Sequence, residues 1–532
     1  MGKLLEQLEA YQKLGVYPFH MPGHKRQTEG VAPFFAPWFE RDVTEIPGLD
    51  DLHAPEGILK EAQERAAELY GAKQSFFLVN GSTAGVMAAI SAAVKKGGTI
   101  LMQRASHRSA YHAVQLRELQ VCYLYGRQAV MQASSHAEEA AFQNRGNGHN
   151  VPCETVSIGL GVSIDEVRDA VEAHPGIEAV FLTSPSYDGF SADLAAIADF
   201  LHTREIPLIV DAAHGAHLGF SESFPGSALQ CGADVVVMSV HKTLPAPTQT
   251  ALLHLGSERI PAERLQRFLS IYQTSSPSYL LMAAIDECVE RVSGWGDVPD
   301  GKTAQTCETV WQKFLARRKW LSERLHSLKQ LGIWDAFGRS HVPGLPDICA
   351  DRIPQTDMPE LGKILVFPPD GKSGVALGER LAEEGIQCEM ALPAYVLLIC
   401  TVMDTEAGYE KLAEVLEKLD GEYGKERDKL TIPENLSDAD AQTRREKEKI
   451  LCSVICEDPG TENLTIADAA ELSAEKIPLS KANGRISAAY VSVYPPGQPL
   501  LVPGEMITKE IIKKIERLYR ENAALQGLCI IR

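Results

Sequence analysis

Between residues 60 and 294, short apolar runs alternate with longer stretches in which apolar residues recur every three or four positions. The runs at 179–182 and 208–210 are continuous, and residues 194–202 between them follow the helical spacing. Continuous runs bounded by turn residues favour buried strands, and the wider spacing favours helices. Strands that alternate with helices are typical of βαβ units. The pattern therefore predicts an α/β domain built around a mainly parallel sheet.

The pattern changes after this region. An amphipathic helical run passes through Trp311 and Leu325, and apolar runs at 363–367 and 396–400 follow it. Such a mixture predicts a smaller α+β domain. The chain is thus divided into an N-terminal arm at 1–59, a large domain at 60–294, a small α+β domain at 295–419, a charged linker at 420–449 and a C-terminal module at 450–532.

Two segments show neither the helical nor the strand pattern of apolar residues. Residues 420–449 are rich in charge, which is typical of a solvated linker or an exposed helix. Residues 127–152 carry many Ser, Asn and Gly residues and look like an insertion. Clusters of these residue types predict a surface loop.

Length and composition limit the class of protein. A chain of 532 residues is too long for one compact core, and 45% hydrophobic with 23% charged residues is the composition of an ordinary globular protein. No apolar run reaches the roughly 18 residues that cross a bilayer. The chain begins with an amphipathic, acidic stretch that does not look like a signal peptide. We therefore expect a cytoplasmic protein without membrane partners.

Charge and cysteine content narrow the set of ligands. The net charge of −19 disfavours nucleic acid as a partner, because phosphate binding depends on basic patches. The same charge attracts cationic substrates, although solubility alone explains it better. The 11 cysteines include no Cys-x-x-Cys pair, which argues against a structural zinc and against a disulfide framework.

Lys242 follows an apolar strand pattern in a group of reactive side chains. The apolar residues 236–238 are followed by Ser239, His241, Lys242 and Thr243. Hydroxyl, imidazole and amine groups at one strand end are the layout of a lysine that binds pyridoxal phosphate through an imine. We therefore expect pyridoxal 5'-phosphate as the cofactor.

The same chemistry needs a carboxylate that keeps the pyridine nitrogen protonated. Asp211 directly follows the apolar run 207–210. The interval between Asp211 and Lys242 leaves room for a crossover between two parallel strands. Because open α/β sheets gather their chemistry at the carboxyl ends of strands, both side chains are expected to face one crevice.

A phosphate site is predicted upstream. Residues 75–79 read as a buried strand, 80–85 as a glycine-containing turn and 86–96 as a helix. Such a turn presents free N–H groups and the positive end of the helix dipole to an anion. Ser82 and Thr83 add hydroxyl donors.

Each of these patterns has an ordinary structural explanation when it is taken alone. A Gly-Ser turn before a helix is usually a cap, a strand-end aspartate is often a solvated loop residue, and most lysines are surface charges. All three occur in one chain, each after a predicted strand. Their combination favours a cofactor site.

Eight stretches of the chain also carry motifs of a known family. They are residues 18–25, 50–53, 77–83, 182–187, 211–217, 239–243, 273–279 and 494–505. Together they resemble the pyridoxal-phosphate-dependent ornithine/lysine/arginine decarboxylases, in particular their shorter bacterial branch. The resemblance covers most of the chain. It implies an aspartate aminotransferase-like (fold-type I) large domain with a smaller α+β domain and a C-terminal module.

The resemblance implies a role for the residues around the cofactor ring. Lys242 forms the imine and Asp211 pairs with the pyridinium nitrogen. Ala213 packs on one ring face and His107 stacks on the other. His214 lies near the phenolic oxygen. Without the resemblance, His107 is equally well explained as a helix cap or a surface histidine.

Five further roles are carried over in the same way. The resemblance implies that Ser82, Thr83, Ser239 and His241 serve the cofactor phosphate. It makes Glu505, in a late Pro-Gly-Glu motif, a candidate contact for the distal cation of the substrate.

The chain departs from the family pattern at three neighbours of the cofactor. Ala105 stands where the family more often has asparagine, Ala212 where an acidic residue is common, and Arg108 where lysine is usual. None of these is a reacting group. The departures therefore concern substrate specificity and rate more than the class of reaction.

A metal site is not expected. His20 and His24 have the His-x3-His spacing of a helical zinc site, but Pro22 and Gly23 between them break the helix that would align the rings. His20, His24 and His53 are equally well explained as buried hydrogen-bonding residues.

The resemblance implies decarboxylation of a basic L-amino acid by a homodimer or a higher homo-oligomer. L-Arginine, giving agmatine and CO2, is the first hypothesis because it is the usual substrate of the shorter bacterial branch. Lysine and ornithine are alternatives. The geometry around Glu505 and Asp188 is expected to decide among them. An aminotransferase or lyase on the same fold, and a cofactor-binding protein without catalysis, are the other open hypotheses.

Overall fold

The structure is a computed structural model. It describes residues 1–132, 155–295, 309–342, 348–349, 358–369, 372–429, 464–493, 497–519 and 528–531. The helices in this part are α1 (Lys3–Lys13), α2 (Ala36–Phe39), α3 (Ile58–Tyr70), α4 (Gly81–Ala93), α5 (Arg108–Leu116), α6 (Ile164–Ala173), α7 (Leu194–His202), α8 (Val240–Thr243), α9 (Ala262–Tyr272), α10 (Tyr279–Ser293), α11 (Val310–Leu325), α12 (Gly374–Glu383), α13 (Glu406–Lys429), α14 (Ile466–Glu471) and α15 (Lys509–Tyr519).

The strands in the same part are β1 (Gln74–Leu78), β2 (Thr99–Gln103), β3 (Gln120–Leu124), β4 (Arg127–Gln132), β5 (Thr155–Gly161), β6 (Ile177–Thr183), β7 (Leu208–Asp211), β8 (Val235–Ser239), β9 (Ala251–Leu255), β10 (Gly332–Asp335), β11 (Gly338–Ser340), β12 (Ile348–Cys349), β13 (Lys363–Phe367), β14 (Met390–Ala391), β15 (Val396–Ile399), β16 (Ala474–Ile477), β17 (Val491–Val493), β18 (Gln498–Leu501) and β19 (Leu528–Ile531). They form one large sheet, one smaller sheet and three two-stranded ribbons.

The large sheet has seven strands in the order β1-β9-β8-β7-β6-β2-β3. Strands β8, β7, β6, β2 and β3 run parallel, and β9 is antiparallel to both β8 and β1. Because parallel neighbours end at the same edge, the carboxyl ends of β6, β7 and β8 meet there. The mainly parallel sheet expected from the sequence is confirmed.

The central strands are buried on both faces, as their continuous apolar sequences require. Every residue of β7 and β8 is buried. Val236 packs in the core of one face, and its neighbours Val235 and Val237 pack in the core of the other. Helix α4 approaches β8 so closely that a Cβ on Gly85 would lie 3.0 Å from Val237. This close packing holds the N-terminus of α4 at the strand end.

A smaller antiparallel sheet follows in the chain. Its order is β12-β11-β10-β13-β15-β14, and β13 lies between β10 and β15 with all five of its residues buried. Helices α11 and α13 pack against each other beside it. This part is the smaller α+β domain that the sequence predicts.

The C-terminal module contacts the large domain next to helix α5. Two ribbons, β16 with β19 and β17 with β18, form its strands. The backbone N–H of Arg108 donates to the Gly497 carbonyl at 3.1 Å, and the Tyr490 hydroxyl donates to Gln115 Oε1 at 2.9 Å. The module therefore lies directly beside His107, which caps α5.

The segment predicted as a surface loop at 127–152 begins differently. Residues 127–132 are strand β4, which pairs antiparallel with β5, so the loop prediction is wrong for these six residues. Polar residues in this segment interrupt the alternating pattern by which a strand is recognised. In the structure, Ala129 of this strand packs on Ile158 and Leu160. Residues 133–152 lie outside the described part of the chain.

The α/β architecture with a smaller α+β domain is confirmed, and the domain boundaries remain predictions. Helix α13 continues through residues 420–429, the first third of the predicted charged linker, and the rest of that segment lies outside the described residues. Among the helices described, none is long and apolar enough to cross a membrane. The cytoplasmic location remains a prediction.

Candidate active site

Lys242 and Asp211 lie at the carboxyl ends of two neighbouring parallel strands. Asp211 is the last residue of β7 and lies opposite Val237 of β8, and Lys242 follows β8 in the short helix α8. Burial raises the pKa of the Asp211 carboxyl, and the Lys242 ammonium opposes this rise. Burial also lowers the pKa of Lys242, against the charges of Asp211 and Glu389. The two groups are thus close enough to influence each other in one buried site.

Asp211 keeps one carboxylate oxygen available. Its Oδ1 accepts the backbone N–H of Ala213 at 3.1 Å, while its Oδ2 has no hydrogen-bond partner within the described residues. The residue is only 4% exposed. A carboxylate oxygen that is open in an otherwise buried residue suits a ligand that brings an N–H donor.

His214 lies between two lysines. Its Nε2 is 3.1 Å from Lys242 Nζ, and its Nδ1 is 2.9 Å from Lys363 Nζ. Burial lowers the pKa of His214 well below the ordinary histidine value, and the charges of Lys363 and Lys242 lower it further. The ring is therefore neutral at physiological pH. Tyr187 packs against it edge-on, with ring centroids 4.9 Å apart.

The sequence did not indicate Lys363. This residue begins β13 of the small domain and is completely buried. A lysine before an apolar run has no distinctive pattern, because surface lysines often precede strands. Its place against the large domain depends on Gly189, where a Cβ would lie 2.5 Å from Lys363 Cγ.

Hydroxyl groups and a helix N-terminus meet at the phosphate end of the site. Ser82 Oγ in the first turn of α4 and Ser239 Oγ at the end of β8 are 2.7 Å apart. The Asn80 side chain makes no capping hydrogen bond to α4, so it leaves the N–H groups of the first turn free for an anion. Thr83, in the same turn, is exposed.

His241 has a defined orientation. Its Nδ1 lies 2.9 Å from the Thr250 carbonyl, which can only accept, so Nδ1 carries a proton. In the neutral ring Nε2 is then an acceptor. Burial lowers the pKa of His241, and Lys242 lowers it further, while the hydrogen bond to Thr250 opposes the shift.

His107 caps helix α5 and is close to Lys242. Its Nδ1 accepts the Ser109 N–H at 3.2 Å. His107 is therefore a helix cap, which was one of the explanations that the sequence allowed. Burial lowers its pKa to about 4, and the charges of Lys242 and Arg108 contribute. The neutral ring has a flat apolar face that suits stacking on an aromatic ligand.

Glu505 lies next to Arg104. Its Oε2 accepts from Arg104 at 3.0 Å and from the Val502 N–H at 2.9 Å. Its Oε1 is buried and without a partner in the described residues. Arg104 also donates to the Pro499 and Leu500 carbonyls, so it ties the module to the end of β2. Among the described residues, no hydrogen bond or ion pair joins Glu505 to Lys242 or Asp211.

Asp188 is hydrogen-bonded to Tyr395 and is influenced by the charge of Lys363. The Tyr395 hydroxyl donates to its Oδ1 at 2.8 Å. Burial raises its pKa, which the Tyr395 hydrogen bond and the Lys363 charge oppose. The sequence related Asp188 only to the choice of substrate. The structure adds that its carboxyl lies close enough to Lys363 to be influenced by its charge.

The three N-terminal histidines have ordinary partners. The His20 ring lies 3.0 Å from the Tyr11 hydroxyl, His24 lies 3.2 Å from Asp42, and His53 lies 2.8 Å from the Thr274 carbonyl. Within the described ranges, no group of three or more His, Cys, Asp or Glu residues could hold a metal ion.

The residues at the strand ends fit pyridoxal 5'-phosphate. The open Oδ2 of Asp211 suits the pyridinium N–H, and the Lys242 amine, with its lowered pKa, suits the aldehyde. The uncapped N-terminus of α4, with Ser82 and Ser239, suits a dianionic phosphate. All three requirements of the cofactor are thus met along one edge of the sheet.

Comparisons with known proteins show the family of the chain. Residues 3–317 match the profile described as Orn/Lys/Arg decarboxylase, major domain, and residues 459–527 match the C-terminal domain of the same family. An uncharacterized protein of Bacillus subtilis is 32% identical over 98% of this chain and 95% of its own length. An arginine decarboxylase of Bacillus subtilis is 28% identical over 96% of this chain and 92% of its own length. An arginine decarboxylase of Halalkalibacterium halodurans is 29% identical, with 97% and 93% covered.

Solved structures give the same fold. The lysine decarboxylase of Francisella novicida has a TM-score of 0.74 at 18% identity, covering 100% of this chain and 81% of its own. The constitutive lysine decarboxylase of Escherichia coli has a TM-score of 0.70 at 19% identity, with 100% and 82% covered. At these identities the likeness concerns the fold.

Proposed function

Because the chain belongs to the Orn/Lys/Arg decarboxylase family and is a pyridoxal-phosphate-dependent amino acid decarboxylase, we propose that it converts L-arginine to agmatine and CO2. The observation that carries this choice is the similarity along nearly the whole chain to two proteins named arginine decarboxylase. Lysine and ornithine are the alternatives that the experiment distinguishes.

The proposed reaction assigns complementary roles to Lys242 and Asp211. When bound, the cofactor supplies a protonated pyridine that accepts the electron pair released as CO2 leaves the α-carbon. Lys242 would hold the cofactor through its amine. The negative charge of Asp211 keeps the pyridine nitrogen protonated, and burial strengthens this interaction because little water screens it.

Three residues orient the ring. Ala213 follows the carboxylate closely and packs on one face, where its small side chain leaves room. His107 stacks on the other face, and its neutral ring, with a pKa of about 4, supports this role because a cation there would repel the positively charged pyridinium. His214 bonds to Lys242 and so orients the amine beside the phenolic oxygen.

Four residues hold the phosphate in this proposal. One hydroxyl hydrogen of the Ser82–Ser239 pair joins the two oxygens and the other is left for the phosphate, Thr83 adds a second donor, and the N–H groups of α4 complete the site. His241 contacts the phosphate through Nε2, which accepts a hydrogen from a protonated phosphate oxygen or donates when the ring is protonated.

Glu505 is proposed as a contact for the guanidinium of the substrate. Its unpartnered Oε1 supports the role, because a buried carboxylate oxygen favours an N–H donor. The pairing of Oε2 with Arg104 limits the attraction, since Arg104 already neutralises part of the charge. Glu505 would then recognise the substrate through a directional hydrogen bond more than through its charge.

We also propose that the chain forms a homodimer or a higher homo-oligomer. The N-terminal arm exposes large apolar side chains, with Phe19 91%, Phe34 70% and Trp38 50% exposed. Phe34 and Trp38 stack on each other, with ring centroids 6.2 Å apart, and an exposed apolar cluster favours an interface with another protein surface. Sedimentation at several protein concentrations measures the oligomer, and a monomer at all concentrations would contradict the proposal.

The experiment is to incubate the protein and pyridoxal 5'-phosphate with an equimolar mixture of arginine, lysine and ornithine. Mass spectrometry identifies the amines, and evolved CO2 is quantified. We expect agmatine, equal in amount to the CO2, and a preference for arginine of at least about tenfold in kcat/KM. A predominance of cadaverine or putrescine would reassign the substrate.

Lys242→Ala is the negative control, and Lys313→Ala is its matched partner. Lys313 lies exposed on helix α11, far along the chain from the site residues. We expect Lys242→Ala to lose the absorbance of the lysine-bound cofactor together with amine formation, while Lys313→Ala retains both. An unchanged cofactor spectrum in Lys242→Ala would refute the assignment of the cofactor lysine.

A further inference from the structure

The Lys363–His214–Lys242 chain of hydrogen bonds has an internal constraint. His214 Nδ1 lies 2.9 Å from Lys363 Nζ, and its Nε2 lies 3.1 Å from Lys242 Nζ. A neutral imidazole has one donor nitrogen and one acceptor nitrogen, and an ammonium group can only donate. Two ammonium ions therefore cannot both bond to one neutral ring. One of the two lysines must be a neutral amine.

The proposal places the shared proton on Lys363 because three carboxylates face it. Burial lowers the pKa of Lys363 to about 8 and a charge on Lys242 lowers it further, while Glu360, Glu389 and Asp188 favour its ammonium form. Burial also lowers the pKa of Lys242, and only the carboxylates of Asp211 and Glu389 oppose that shift. Lys363 Nζ has His214 as its one hydrogen-bond partner among the described residues, so its ammonium form donates to Nδ1. His214 then carries its proton on Nε2 and donates it to Lys242.

We propose that Lys363 and His214 form a proton relay that keeps Lys242 a neutral amine before the cofactor binds and returns a proton to it when one is needed. Lys242 must be neutral to attack an aldehyde. An ordinary lysine, with a pKa of about 10.4, is almost entirely protonated at pH 7. Lys363 acts through His214 and is a positioning residue.

The transfer balances without any further reactant. The Lys363 Nζ–H bond breaks as an Nδ1–H bond forms, and the Nε2–H bond breaks as a bond from that proton to Lys242 Nζ forms. One proton crosses the ring and no electrons are transferred. The reverse shift carries the proton back and leaves Lys242 neutral. His214 changes tautomer while its ring charge stays zero at both ends of the step.

Other titratable groups face this chain and contribute to its pH dependence. Those near Lys363 are Glu360, Asp188 and Glu389, and those near His214 are His217 and His241. Glu360 accepts from the Gly362 N–H at 2.6 Å and lies 3.0 Å from His217. The His217 charge lowers the pKa of Glu360 against the effect of burial, which supports a stable negative charge beside Lys363.

The test measures the covalent capture of pyridoxal 5'-phosphate by the cofactor-free protein as a function of pH, using absorbance. The variants are Lys363→Met, which keeps the length of the side chain, and His214→Phe, which keeps a ring without nitrogens. For each, we expect the pH midpoint of capture to rise by about one unit and the rate at pH 7 to fall about tenfold. Lys313→Met is the matched control and should leave both unchanged.

A double variant separates the relay from a charge effect through space. If Lys363 acts through His214, the double variant shifts the midpoint no further than either single variant, because residues in one network are not additive. Additive shifts, or an unchanged midpoint in either folded single variant, would overturn the relay. If Lys363→Met or the double variant does not fold, His214→Phe decides alone, because it breaks the chain of hydrogen bonds and keeps the charge of Lys363.

The proposal rests on Lys242 as the cofactor lysine and is independent of the substrate. Capture needs no amino acid, so a reassignment from arginine to lysine or ornithine leaves this result unaffected. Capture by Lys242→Ala at the wild-type rate would refute the cofactor lysine itself. The two failures are therefore distinguishable.

Discussion

The hydroxyl oxygens of Ser82 and Ser239 lie 2.7 Å apart, although 157 residues separate them along the chain. Ser82 belongs to the first turn of α4 and Ser239 ends β8. The pair joins the N-terminus of a helix to the end of the strand that precedes Lys242. This contact fixes the distance between the phosphate end of the proposed site and the lysine.

Ser239→Ala should weaken cofactor binding by about 2 kcal/mol, because hydrogen bonds to a charged phosphate are worth roughly 1.5–3 kcal/mol. The dissociation constant of pyridoxal 5'-phosphate, measured by absorbance titration, should rise roughly thirtyfold. Ser270→Ala removes an exposed hydroxyl that bonds only to its own helix at the Arg267 carbonyl, and it should leave the constant unchanged. An equal effect in both variants would contradict the phosphate role.

Asp211→Asn should reduce turnover by about a hundredfold or more, because a buried charge aimed at the reacting system contributes that much in other enzymes. Asparagine keeps the shape and the acceptor for the Ala213 N–H but cannot hold a proton on the pyridine. The measurement is kcat at saturating cofactor, with folding checked by circular dichroism.

The matched control for this substitution is Asp199→Asn. Asp199 is exposed on helix α7, so Asp199→Asn makes the same chemical change at a position that is not buried. The turnover of this variant should equal that of the wild type. Near-normal turnover in Asp211→Asn would mean that another group protonates the pyridine.

The strand-end residues were predictable because their signals are local. An apolar run followed directly by Asp211, or by Ser239 and Lys242, marks a buried strand and its carboxyl end within ten residues. The parallel arrangement then follows from the spacing, and it brings the ends together. The roles assigned to these residues remain proposals, although the geometry suits them.

The long-range partners could not be predicted in the same way. Lys363 reaches His214 across 149 residues, and Arg104 reaches Glu505 across 401. Both contacts depend on how separate domains dock, which no spacing within a segment encodes. Strand β4 was missed for a different reason, because its alternating pattern is diluted by Arg127, Gln128 and Gln132.

Glu505→Gln should loosen the C-terminal module. Arg104 is a largely buried cation, and removal of its partner charge leaves it uncompensated at a cost of about 3 kcal/mol. Hydrogen exchange should then increase in residues 497–507 and near Arg104. Glu475→Gln is the matched control, because Glu475 pairs with Arg485 in an exposed contact at 3.5 Å and should have little effect.

The same variant tests the proposed substrate contact. If Glu505 binds the guanidinium, kcat/KM for arginine falls more than the capture of pyridoxal 5'-phosphate does. If its role is structural alone, the two readouts change together. Unchanged exchange and unchanged kinetics would contradict both roles.

His254 should make the protein less stable in acid. The ring is fully buried, with Nδ1 2.7 Å from the Ser75 hydroxyl, and burial lowers its pKa to about 3. An unfolded histidine titrates near 6.5, so the unfolded chain binds more protons between these values. Stability is therefore complete above pH 6.5 and falls as pH decreases toward 3. At pH 5 the loss from this one residue is roughly 2 kcal/mol.

His254→Asn removes the titrating ring and keeps a polar partner for Ser75. We expect lower stability at neutral pH. The free energy of unfolding, measured with urea, should however depend less steeply on pH between 6.5 and 5, with a slope smaller by the equivalent of close to one bound proton. Comparison of slopes cancels the cost of the smaller side chain. His174→Asn, at an exposed position, should keep the wild-type slope. Since His107 and His214 also have lowered pKa values, some dependence must persist in His254→Asn, and its complete loss would mean that their rings are not buried as neutral groups.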